Sequence, residues 1–91
     1  MHMGVDELIS LHTQAYKANM LPIYVITSNP SDYPGKFVVR VQYPSKVDPI
    51  PGPIVAVAET LDDAREALVA LPLVRMDRHP DDDAVIVETW L

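Results

Sequence analysis

A chain of 91 residues, 48% of them hydrophobic, has room for one small folded domain and carries too much apolar content for a disordered one. It contains no cysteine, which excludes disulfides, thiolate metal sites and thiol catalysis and suits a reducing compartment. The net charge of −6 arises wholly within residues 59–91, where nine acids face three bases, and such a field repels phosphate backbones, so no nucleic-acid partner is expected.

In chain order, "MHMG" carries a second initiator-like residue, Met3, and Met1 and His2 are set aside as an added start. From Val5 the spacing is helical. Val5, Leu8, Ile9, His12, Ala15 and Tyr16 fall on one apolar stripe and Leu11 lies off it. Gly4 or Asp6 suits the start of this helix and Asn19 its end. Residues 1–19 read as an N-terminal helical extension of a single domain over 1–91. No apolar run approaches the roughly 18 residues of a membrane span, and a cytoplasmic protein with no membrane partner is expected.

After Pro22, "IYVIT" is apolar on both faces and predicts an interior strand. "SNPSDYPGK" (28–36) follows. Within it "YPGK" matches a type II turn, with Pro34 presetting the first central φ and Gly35 supplying the positive second one. Asn29-Pro30-Ser31-Asp32 is expected to form a preceding turn, closed by an Asn29 or Asp32 side chain. "KFVVRVQY" alternates, with Phe37, Val39, Val41 and Tyr43 on one face and Val38, Arg40 and Gln42 on the other. "PSKVDPIPGP" (44–53) holds four prolines and predicts a loop; "IVAVA" (54–58) predicts a third strand with small residues where a helix packs.

Thr60 with Asp63 three residues on predicts a capped helix whose inner face is Leu61, Ala64, Leu68 and Leu71, ended by Pro72. "LVRM" (73–76) is a short strand, "DRHPDDD" a turn, and 84–91 the last strand. The fold expected is α+β, in the order α-β-β-β-α-β-β: an antiparallel or mixed sheet of four to five strands with both helices on one face.

Chemistry-bearing patterns are sparse. The three histidines are far apart, and "HPDDD" (79–83) lacks the alternating oxygens and glycine of a calcium loop, so no metal and no cofactor is expected. With three glycines there is no phosphate-cradling loop, no serine has a nucleophile-elbow context, and Asp62 and Asp63 are accounted for by capping. A non-enzymatic protein-interaction module follows, with Tyr33, Lys36, Arg40 and Trp90 as its candidate surface. The alternative is a small-ligand or enzyme-accessory site near 32–40. The acidic 59–91 segment as a nucleic-acid mimic is a weaker third reading. Residues 84–91, a strand without proline or lysine, are expected at a sheet edge where a second copy could pair.

From about Met20 onward, "YVITSNPSDYPGKFVVR" (24–40), "TLDDAR" (60–65) and "VIVETW" (85–90) resemble a family of small bacterial and phage-type proteins. The resemblance implies no assigned activity, cofactor or catalytic residue.

Overall fold

The computed structural model describes residues 2–76 and 85–91, which form α1 (Val5–Lys17), β1 (Ile23–Ser28), β2 (Phe37–Tyr43), β3 (Ile50–Ala58), α2 (Leu61–Glu66), β4 (Arg75–Met76) and β5 (Ile86–Trp90). The expected 77–83 turn and the "HPDDD" cluster lie outside the described residues. The five strands make one antiparallel sheet ordered β3-β2-β1-β5-β4, which puts the doubly apolar β1 at its centre. Tyr24 and Ile26 lie opposite Val41 and Val39, and all four join Leu8 of α1 and Ala64, Leu68 and Leu71 of the α2 segment in one core. Both helices therefore cover one face, and the fold is α+β in the order read from the sequence. Ala56 and Ala58 sit in this core beside Ala64, where small side chains let α2 approach the sheet.

α1 begins at Gly4 and stops in a Schellman arrangement. Asn19 turns left-handed at φ 58°, its N–H donates to Tyr16 O, and the N–H of Met20 reaches Ala15 O at 2.8 Å. The helix docks about a quarter turn away from the expected orientation. Leu8 and Ala15 are buried and Leu11 packs on the core, whereas Val5, Ile9 and Tyr16 are exposed. Leu8 is among the most completely buried side chains, so α1 contributes to the core directly. Nor is the chain start peripheral: Met3 N–H donates to Val55 O at 2.7 Å and His2 bridges Ala56, lining the outer side of β3.

β3 corrects the loop expected over 44–53, since the strand already begins at Ile50 and includes Pro51, Gly52 and Pro53. The prolines are tolerated because β3 is an edge strand. It is also bulged: nine residues of β3 span the seven of β2, with register shifts beside Arg40 on both sides. Gly52 makes this approach possible. A Cβ there would lie 2.7 Å from Val41 Cγ1 and 2.9 Å from Val41 O.

Thr60 caps α2 as expected, its Oγ1 accepting from Asp63 N at 3.1 Å. The helix ends at Glu66, earlier than the Pro72 expected, and continues as tight i→i−3 turns through Leu71 that still bury Leu68 and Leu71. β5 is not the edge expected of 84–91. It lies between β1 and β4, because Arg75 and Met76 pair with Trp90 and Thr89, and Val74 and Leu91 exchange both backbone hydrogen bonds. A bulge beside Ile26 and Thr27 moves Ile86 opposite Thr27, onto the face away from Glu88 and Trp90.

Candidate functional site

The β1–β2 connection (29–36) holds two of the four residues singled out in the sequence, Tyr33 and Lys36, and a third, Arg40, follows on β2. Its type II turn forms as expected, with Gly35 at φ 75° and Lys36 N–H donating to Tyr33 O. The preceding turn is shifted by one residue: Tyr33 N–H donates to Pro30 O, and the Asn29 side chain spans the loop, its Oδ1 accepting from Gly35 N at 2.7 Å. Asn29 itself is left-handed at φ 53°. Arg40 shares the sheet face away from the helices with Val25, Thr27 and Val38, as the register requires. Its guanidinium meets the Asp32 carboxylate, which brings the loop back along β2, and Pro30 and Val38 are buried. Lys36 pairs with Glu59. The loop and β2 thus carry Tyr33, Lys36 and Arg40, but each cation already has an acid beside it. Trp90 faces the other way, opposite Tyr24 on the helix-covered side.

Trp90 belongs instead to a polar cluster that local sequence patterns do not reveal. Glu88, only 5% exposed, points into the helix-covered side opposite Ile26. Arg65 Nε donates to both of its oxygens at 3.0 and 3.1 Å, with a further bond from Nη2. Trp90 Nε1 donates to Oε1 at 3.2 Å and Arg75 Nη1 to Oε2 at 3.3 Å. Asp62, one turn back on α2, lies 3.5 Å from Arg65 Nη1. The Arg65 hydrogen bonds, helped by Trp90 and by the charges of Arg65 and Arg75, outweigh burial and hold the Glu88 carboxyl below its usual range. One carboxylate therefore ties α2, β4 and β5 together. Beside it Trp90, Leu68, Leu71, Leu73 and Val69 line an open groove of about 520 Å³, with Asp62, Arg65 and Glu66 on its rim. The signal for this site was Glu88 itself, the one charged residue within β5.

A larger groove, about 740 Å³, runs between α1 and the Tyr43 end of β2. Leu11, Ala15 and Ala18 form its α1 wall, with Met3 and Met20 among its other apolar side chains, and Asp6, Glu7, Ser10 and Gln14 also line it. The alanines leave space where longer side chains would fill it, and the methionines are adaptable packing partners.

Under the opposite flank of α1, His12 Nδ1 and the Tyr24 hydroxyl are hydrogen-bonded at 2.9 Å. The His12 ring stacks on Tyr24 and meets Tyr16 edge-on at 5.0 Å. Burial lowers the His12 pKa, and burial with the neighbouring Tyr43 and Tyr16 raises that of Tyr24, so both stay neutral near pH 7. Among the described residues no buried side-chain nitrogen or oxygen lacks a partner, no group of three or more potential ligands could hold a metal ion, and no helix is long and apolar enough to cross a membrane. Comparison of the chain with protein-family models, curated proteins and solved structures finds no match, so the likeness over residues 20–91 gains no support from them.

Proposed function

We propose that this protein is a small acidic, non-enzymatic interaction module that holds an apolar segment of a partner protein in the groove between α1 and Tyr43. The observation that carries this reading is the pairing of an apolar floor (Met3, Leu11, Ala15, Ala18, Met20 and Tyr43) with carboxylates at Asp6 and Glu7. An apolar segment flanked by lysine or arginine complements both parts, and a methionine-lined floor adapts to its shape. A reducing, cytoplasmic setting suits the cysteine-free sequence. The non-enzymatic reading draws support from the polar groups themselves. Glu88 is ionised and surrounded by donors, which makes it a poor proton-transfer group, and His12 Nδ1 is occupied by a buried phenol. A small-ligand site near 32–40 has less support, because Lys36 and Arg40 are already neutralised by Glu59 and Asp32.

The test is to titrate the 15N-labelled protein with a synthetic amphipathic peptide of leucine and lysine. Amide shifts should centre on Leu11, Ala15, Ala18, Met20 and Tyr43, and Ala18→Trp, which fills the groove from an exposed helix-end position, should abolish them. Shifts centred on 32–40, or equal binding by the filled variant, would overturn the assignment.

A further inference from the structure

The ridge that the docking of α1 leaves in solvent has a definite register. Val5, Ile9, His12 and Tyr16 are spaced 4-3-4 and fall within an arc of about 60° on the helix. Leu8, Leu11 and Ala15 face the core, and the groove assigned above lies on the opposite flank. Val5 is 59%, Ile9 43% and Tyr16 54% exposed, too much apolar surface along one seam to be scattered residues. One member of the seam is already held in place: His12 is fixed by Tyr24 from below and packs edge-on against Tyr16, so that side chain has little freedom left to lose on docking.

We infer that this ridge docks against the same ridge of a second copy, with the two α1 helices antiparallel. The charges select this occupant. Asp6 and Lys17 border the ridge on one side, about 90–110° round the helix from its centre, so antiparallel pairing sets Asp6 of each helix near Lys17 of the other and opposes the two helix dipoles. A parallel pair would set like charges together. The interface is isologous, with Val5 meeting Tyr16 of the second copy and Ile9 meeting His12 of the second copy about its two-fold axis. Thirteen helical residues span about 20 Å, which buries less than the ~1,200 Å² of a standard interface, so the dimer is a weak one.

The absence of cysteine makes the test clean. Sedimentation of the unmodified protein at several concentrations should show a reversible dimer, populated only at roughly 100 μM or above. Ile9→Asp should remove it while leaving the circular dichroism spectrum unchanged, because Ile9 lies outside the core. A short bis-maleimide should cross-link Ile9→Cys to itself, and should join Val5→Cys to Tyr16→Cys when the two variants are mixed. It should not join Val5→Cys to itself, since antiparallel helices hold those positions about 16 Å apart. Efficient Val5→Cys self-linking would overturn the antiparallel arrangement. A monomer at every concentration, or a dimer that survives Ile9→Asp, would overturn the interface.

Discussion

Replacing Glu88 with glutamine keeps the shape of the side chain and removes only its charge. The wild-type carboxylate accepts from Arg65, Arg75 and Trp90, and an amide would turn an NH2 group toward donors on one side. Hydrogen bonds to a charged group contribute about 1.5–3 kcal/mol against about 0.5–1.5 for neutral ones, and two close bonds are affected. Both arginines remain partly open to water, which puts the expected loss at the low end, about 2 kcal/mol. For a domain of this size that is a fall in Tm of roughly 8–16 °C. The pH dependence follows from the depressed Glu88 pKa. Its stabilisation is complete above the unfolded value of about 4.5 and is lost as pH falls through the lower folded value, so wild type and variant should converge in acid. Urea unfolding at pH 7 and at pH 3 measures both. A difference below about 0.5 kcal/mol at pH 7, or one that persists unchanged at pH 3, would refute the reasoning. Glu59→Gln, which breaks only the exposed pair with Lys36, is the control and should cost under about 0.5 kcal/mol.

Two glycines should fail for different reasons. Gly35 has free space around it but a φ of 75°, so Gly35→Val should cost more than about 1 kcal/mol while Gly35→Asn, which tolerates that φ, should cost much less. Thermal melts of the two variants decide this, and equal melting points would show that the dihedral is not the constraint. Gly52→Ala meets the Val41 backbone instead, so about 1–3 kcal/mol should be lost, with amide shifts along β2 and β3. An unchanged melt there would mean that β3 does not lie against Val41.

Features governed by short stretches of chain were legible in the sequence. The Thr60 cap, the Tyr33–Lys36 turn, the interior character of β1 and the order of elements each depend on residues a few positions apart. What was not legible depends on where an element sits relative to others. Proline excludes 50–53 from an interior strand but not from an edge, and only the sheet order makes β3 an edge. The α1 stripe is amphipathic as read, yet which quarter of it docks is set by the place of Leu8 over the sheet. β5 loses its edge to the short strand read at 73–76, because the sequence does not say which neighbour so short a strand pairs with. Of the four candidate residues, Tyr33 and Lys36 share one loop, Arg40 stands on the adjoining β2, and Trp90 lies on the other face of the sheet. Its partner Glu88 gains meaning only when Arg65 and Arg75 arrive from two other elements.

The strand order also carries a timetable. β1, β2 and β3 are joined by neighbouring segments and can pair as soon as residue 58 is available, but the other side of β1 waits for β5, which begins only at residue 86. Until β5 arrives during synthesis, the most apolar strand of the protein presents a bare flank, and Arg65 lacks its Glu88 partner. Chains halted before residue 86 should therefore be sticky three-stranded intermediates, and the step that protects the central strand is also the one that locks α2 in place.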